Sequence, residues 1–489
     1  MRYFILLLFC LVSFAGVEAV ELHPIDPLLR VVDLDVGESA AVELHDGSKV
    51  NVKLVSLEEV RDRIRLAVRR ADLVLEINGK RVELDAGPYR LPITAAGVQV
   101  DCTVTGGMNS NGDPEFWGLE KDARVRFWPA GSPWIEPGTF IYPVKQDWFA
   151  ARTWFDNEAV DGGKTILKKI YYHAGLDIGA TEGLAEVIAA TDALVVQSGM
   201  NVLEGHQEDT PTSPRDDVVY LLDGRGWYYR YSHFNKIASE IQPGRIVRQG
   251  DFLGLVGKEG ASGGWSHLHF EAKSRQPSGK WGTQAGFAFL HQAYVEEFGM
   301  KLYANARPSH FIVAGEEAEL DGSRSWSATD TIKSYEWTLY DGSKRQGAKT
   351  KVTYPTPGRW CETLKVTDAE GRVDYDFAQV MVLDPQDLEH YSPSVNLNFH
   401  PTRNVKVGDE ITFNARGFGM VGGEELWDFG DGSPPQKTKS PEEAKPLAAS
   451  GYAQITHRYA KPGTYLVSVS RTHDNGMTAI AKLAVTVAE

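Results

Sequence analysis

Short apolar or alternating runs, separated by turn residues, recur along this chain, and they predict strands far more often than helices. Between residues 20 and 140 the strand-like runs are 42–44, 50–55, 73–77 and 125–127. Between 140 and 300, runs at 194–196, 218–222, 227–231, 252–256 and 267–270 alternate with glycine turns. Two segments depart from this pattern. The charged stretch 56–69 reads as a helix, with Ser56 as N-cap and Glu59 at the capping-box position. Residues 285–298 read as a closing helix. The polar stretch 204–217, which holds Pro211 and Pro214, reads as a surface loop.

The last third looks like one unit written twice. Residues 302–384 hold Tyr335-Glu336-Trp337, an Asp341-Gly342 turn, a Pro357-Gly358 turn and an alternating strand at 364–368. Residues 393–488 hold Trp427-Asp428-Phe429-Gly430-Asp431-Gly432, a Pro462-Gly463 turn and an alternating strand at 464–469. That order of strand and turn signals belongs to small antiparallel sandwiches. The segment between the two units, 385–393, is the linker.

Length and composition narrow the picture. The chain has 489 residues, room for about three to four domains. Apolar residues are 42% and charged residues 24%, the balance of an ordinary folded protein. The formal charge of −15 repels phosphate, so nucleic acid and anionic membrane surfaces are excluded as general partners. Arg2, the apolar run 3–14 and the Val17-Glu18-Ala19 end read as a secretory signal, 1–19, cleaved near Ala19. That run is short of the ~20 residues a spanning helix needs. No stable membrane span is expected in the mature chain, which is placed outside the cytoplasm, secreted or in the periplasm or cell envelope. Of three cysteines, Cys10 leaves with the signal. Cys102 and Cys361 make no disulfide framework, and without a C-x-x-C pair a metal would have to be held by His and carboxylate.

Four histidines and one aspartate carry the candidate chemistry. They sit in His173-Ala174-Gly175-Leu176-Asp177, Tyr231-Ser232-His233-Phe234 and His267-Leu268-His269-Phe270. In a strand, positions two apart share a face, so His267 and His269 project together while Leu268 and Phe270 point to a core. Taken alone that pair reads equally as surface histidines. Gly175 and Gly179 argue against a helix joining His173 to Asp177, and a strand entering a glycine turn unites them instead. His233 alone reads as a packed core residue sharing a face with Tyr229 and Tyr231. Together the set offers two His and one carboxylate for a metal, with two His left for proton transfer, a composition that suits zinc.

These motifs resemble the LytM/lysostaphin-type M23 peptidases. The run 241–257 (IQPGRIVRQGDFLGLVG) and Ala261-Ser262-Gly263-Gly264 before the H-x-H motif resemble that family too, while Phe234 stands where Leu is commoner. The resemblance covers about residues 165–275. It implies one Zn2+ held by His173, Asp177 and His269, with His233 and His267 as catalytic histidines. It implies hydrolysis of peptide bonds in peptidoglycan cross-links or stem peptides by a zinc-activated water. Tyr229, Tyr231 and Trp265 are expected to line the groove, core packing being the other reading of these rings. The segment 204–217 bears on one groove wall.

The two repeats resemble PKD domains. WDFGDG and YAKPGTYLVSVS in the second copy carry that likeness, and YEWTLYDG in the first departs from it. They imply Ig-like sandwiches that act as spacers or contact glycan or protein. The expected architecture is therefore multidomain and predominantly β. It consists of a signal (1–19), a β-rich region of unassigned role (20–140), an antiparallel-β M23-type domain (141–300) and two PKD-like β-sandwiches (302–384 and 393–488). The competing reading keeps the folds and drops catalysis, leaving a non-catalytic surface-binding or regulatory protein. A lipoyl- or biotinyl-type carrier is disfavoured because no Met-Lys or Asp-Lys dipeptide stands near Gly250-Asp251.

Overall fold

Two four-stranded antiparallel sheets form the N-terminal region of the computed structural model, which describes residues 22–110, 116–148, 153–160, 170–442 and 451–489. The expected signal, 1–19, lies outside the described residues. One sheet runs in the order Arg30–Leu34, Ala123–Pro129, Val98–Thr105, Ile93–Ala95. The other runs Ser39–Glu43, Lys49–Arg61, Val68–Ile77, Lys80–Ala86. Val50, Val52 and Leu54 alternate with exposed neighbours and face the core, as a half-buried strand requires.

The helix expected over 56–69 does not form. Lys49–Arg61 continues as a strand through Ser56, which pairs with Val74, and on to Arg61 opposite Val68. Glu59 does not close a capping box. Its carboxylate accepts from Thr105 Oγ1 at 2.6 Å, at the end of a strand of the other sheet, and from the Gly107 amide at 2.7 Å, in the short helix that follows it. Asp62 accepts from the Ile64 and Arg65 amides and turns the chain back. Helix propensity is a weak prior, and the long hairpin pairing with Val68–Ile77 outweighs it.

Buried ion pairs brace this region, and one of their arginines ties it to the next. Arg124 forms two 2.8 Å bonds to Asp33, and Arg126 pairs with Asp101 at 2.6 and 2.9 Å. Arg126 Nη1 also donates to the Ala285 carbonyl at 2.7 Å, beside the start of the helix Phe287–Phe298. That helix is the closing helix expected over 285–298, begun two residues later. Its residues Phe287, Phe289, Leu290, Ala293 and Tyr294 are buried in the core beneath the central sheet, and Gly299 caps it at φ 63°.

The central sheet has nine strands. Its main path is Asn201–Val202, Ala193–Ser198, Val218–Asp223, Tyr228–Ser232, His267–Arg275, Leu176–Gly179, Thr153–Trp154, all antiparallel. One face buries Leu176, Ile178, Tyr229, Tyr231, Leu268, Phe270 and Ala272. The opposite face carries Asp177, His267, His269 and Glu271. Tyr229 and Tyr231, expected in the groove, are therefore core residues, 1% and 0% exposed. The period of two sends them to the face away from Ser232 and Arg230.

The two C-terminal sandwiches are joined edge to edge. Gly358–Asp368 of the first lies parallel to Thr478–Val487 of the second through Gly358↔Thr478 and Arg359↔Ala479. Trp337 and Trp427 occupy their cores with no exposed surface, and the Trp427 indole donates to Thr438 Oγ1 at 2.8 Å. Trp427→Ala removes that filling and is expected to destabilise the last domain by about 3–5 kcal/mol. The check is a lowered urea midpoint for its transition, followed by circular dichroism.

Candidate metal centre and catalytic cleft

Strand register creates the centre. Leu176–Gly179 lies antiparallel to His267–Arg275, with Asp177 directly opposite His269 and Gly179 opposite His267. Residues facing one another across such a pair have Cβ atoms ~5 Å apart. Accordingly His269 Nδ1 stands 2.8 Å from Asp177 Oδ1, and His267 Nε2 stands 3.3 Å from Asp177 Oδ2.

His173 precedes the strand and is held by its backbone. Its amide donates to the Glu158 carbonyl at 2.9 Å, and its carbonyl accepts from the Asn157 amide at 2.8 Å. Gly175, at φ 90°, then swings the chain so that His173 Nε2 reaches Asp177 Oδ1 at 3.0 Å. A Cβ at Gly175 would sit 2.9 Å from Glu271 Cβ and 3.1 Å from His269 Nε2, so both conformation and space demand glycine. His173, Asp177 and His269 each bring one ligand atom within 4.8 Å of the others. Two imidazole nitrogens and one carboxylate oxygen, with no thiolate, form a donor set that fits zinc better than calcium or magnesium.

His233 and His267 stand beside this cluster with ring centroids 4.6 Å apart. His233 follows the strand Tyr228–Ser232 in a left-handed conformation, φ 71°, which takes its ring out of the strand alternation. Its amide donates to Asp217 Oδ2 at 2.9 Å, and its Nδ1 lies 2.6 Å from the Glu259 carbonyl. His267 Nδ1 lies 3.0 Å from the Trp265 carbonyl, and the Trp265 ring stacks on the imidazole at 3.9 Å. A carbonyl only accepts, so each Nδ1 bears a proton and each Nε2 is left for chemistry.

Electrostatics follow burial and neighbours. Burial works to raise the Asp177 carboxyl, but the adjoining His173 and His267 outweigh it and hold the group well below the usual carboxylate range. Glu271 is likewise lowered: Lys273, His269 and Arg230 overcome its burial. Burial pulls His233 down to about 4 against the opposing effect of Asp217, with His267 and His269 adding to the fall. The His233 ring is therefore neutral at neutral pH.

All five side chains singled out in the sequence stand on one cleft of about 980 Å³. Trp265 lines it, as expected of that ring. Three contributors escaped the sequence reading. Glu271 extends the His267–His269 face by two more positions, a signal that the same alternation carried. Asp217, at the end of the polar 204–217 segment, backs His233 with no motif to announce it. The far wall comes from the linker and the second sandwich, including Asp387, Tyr391, Asn396, His473 and Met477.

Comparison with known proteins agrees with this layout. Residues 171–280 match Peptidase family M23, and residues 303–382 and 396–485 each match a PKD domain family. Among curated proteins, Collagenase ColA of Clostridium perfringens is 31% identical over 78 residues, 16% of this chain and 7% of the collagenase. A microbial collagenase of Vibrio alginolyticus is 36% identical over 85 residues, 17% of this chain and 9% of that protein. The chain thus spans under a tenth of the length of these relatives. Among solved structures, Helicobacter pylori Csd3 aligns over 53% of this chain and 75% of its own at 12% identity and TM-score 0.23. The D00-D0 domain of Intimin aligns over 38% of this chain and 100% of its own at 15% identity and TM-score 0.16. The family matches show that this multidomain, predominantly β chain carries a domain of Peptidase family M23 followed by two PKD domains.

Proposed function

We propose that the chain is a secreted zinc-dependent metalloendopeptidase that hydrolyses peptide bonds of peptidoglycan cross-links or stem peptides. The observation that carries this reading is the meeting of His173, Asp177 and His269 on one cleft with two further histidines of defined tautomer. In this reading His173 Nε2, an Asp177 oxygen and His269 Nδ1 hold the ion. When bound, zinc supplies a Lewis acid that polarises the scissile carbonyl and brings the pKa of the attacking water from ~15.7 toward ~7.

The chain's own residues do the rest. His267 Nε2 takes the proton of the attacking water and returns it to the leaving amine as the C–N bond breaks. The Trp265 carbonyl and ring keep that imidazole in the required tautomer and plane. His233 Nε2 assists the proton transfer or steadies the oxyanion that develops on the carbonyl. The Glu259 carbonyl and Asp217 fix its orientation. No acyl-enzyme is required, because the nucleophile is water.

Placement outside the cytoplasm is supported by the signal-like first 19 residues and by the two PKD domains. The PKD modules are assigned contacts with glycan or protein. Among the described residues, no helix is long and apolar enough to cross a membrane.

The test uses residues 20–489 with bound metal measured by mass spectrometry. The sample is incubated with cell-wall sacculi and with defined Gly- and D-Ala-containing peptides, and new amines are counted with and without a chelator. One zinc per chain and chelator-sensitive cleavage are expected. Equal product in the presence of chelator overturns the zinc mechanism. Cleavage of a protein substrate but not of muropeptides overturns the peptidoglycan assignment and leaves the peptidase.

A further inference from the structure

The loop that delivers His267 is bonded to a different domain. It leaves the strand Phe252–Val256 and runs through Gly264, Trp265 and Ser266 to His267. The Gly264 carbonyl accepts from Arg416 Nη1 at 2.6 Å, and Arg416 belongs to the strand Ile411–Phe418 of the second PKD domain. The Ser266 amide donates to the Tyr452 hydroxyl at 2.9 Å. Arg416 and Ser266 are each 1% exposed, so these bonds are made out of water. The Arg416 guanidinium lies 5.6 Å from the Tyr452 ring centroid, and Lys258 Nζ lies 5.6 Å from the same centroid, so the two clamping side chains also hold one another.

The two bonds flank Trp265. Its carbonyl receives His267 Nδ1–H, and its ring stacks on the imidazole. A third tie lies across the strand pair. Thr181 Oγ1 donates to Asn398 Oδ1 of the same PKD domain at 2.9 Å, two residues beyond Gly179, the register partner of His267. Were this domain only tethered, the Gly264 carbonyl and Ser266 amide would turn to solvent, and the loop around Trp265 would keep only the ties of its own domain, Gly264 amide to Ser262 Oγ and Ala180 amide to the Ser266 carbonyl.

We propose that the second PKD domain is a built part of the peptidase site, with Arg416 and Tyr452 as positioning residues that hold Trp265 and through it His267. This inference rests on the reading of His267 as the proton carrier. Its physical basis is that small misplacements of a catalytic group, caused far from the chemistry, lower turnover steeply.

The experiment compares the zinc-loaded full chain with Tyr452→Phe, which keeps the ring and loses the acceptor, and with Arg416→Gln. Arg458→Gln, at an exposed pair with Glu410 elsewhere on the same domain, is the control. Tyr452→Phe and Arg416→Gln are each expected to lower kcat by about 10- to 100-fold with KM held within about twofold. Zinc content stays that of the parent, and amide exchange at Gly264, Ser266 and His267 quickens. Arg458→Gln changes none of these. Unchanged kcat in both variants overturns the proposal. So does a change in KM alone, a loss of zinc that accounts for the fall, or an equal fall in the control. If the parent cleaves nothing, the functional reading fails separately, and exchange still decides the clamp: quickened exchange upholds it and unchanged exchange overturns it.

Discussion

His267→Ala is expected to lower peptide hydrolysis by about 10²–10⁴-fold while the chain keeps its zinc. The asymmetry follows from geometry. His267 approaches Asp177 Oδ2 at 3.3 Å but stands outside the cluster of His173, Asp177 and His269. Its Nδ1 is committed to the Trp265 carbonyl, so Nε2, which faces Asp177 Oδ2, is the nitrogen placed to move a proton. Removing it deletes the proton carrier and leaves the donor set whole. The measurement pairs turnover on a defined peptide with metal content on the same sample. Parental turnover would remove His267 from the mechanism, and loss of zinc in step with activity would make it a ligand instead.

Asp177→Ala is expected to abolish both properties. Asp177 is the hub of the site, within 3.0 Å of His173 and 2.8 Å of His269 through one oxygen. Without its carboxylate the cluster keeps imidazoles only and loses its single negative charge. Since loss of a mere supporting partner costs metal affinity about 10–100-fold, loss of this ligand should weaken zinc by at least about 100-fold. Competition against a chromophoric chelator reads that shift, and hydrolysis should fall to background at low zinc. A variant that binds zinc as tightly as the parent would show that the ion sits elsewhere.

Between them, the two substitutions separate holding an ion from using it. A non-catalytic binding protein with this fold would lose metal with Asp177→Ala yet show no hydrolysis to lose in the parent. The parent's behaviour with chelator therefore decides that alternative before either variant is made.

Much of the site was legible because it is written in local periodicity. His267 and His269 share a face because strand positions two apart always do, and Leu268 and Phe270 fill the core for the same reason. Gly175 marked the turn that brings His173 back, since its φ of 90° admits little else. The closing helix and the sandwiches, with Trp337 and Trp427 at their centres, follow equally local signals. Where local signals competed with pairing, they misled. The 56–69 stretch has the caps of a helix and the partners of a strand, and the partners prevailed.

What the chain by itself determined is therefore the chemistry on offer: imidazoles and a carboxylate spaced to share a face, with no thiolate to compete. The tertiary structure alone decided who surrounds them. It set Asp217 behind His233, sent Tyr229 and Tyr231 to the core, and closed the cleft with a linker and a domain more than a hundred residues downstream. The reason is physical. Alternation and turns act over a few residues and can be read along one dimension. The bonds from Arg416 and Tyr452 to Gly264 and Ser266 exist only because whole sheets pack, and no local pattern encodes that packing.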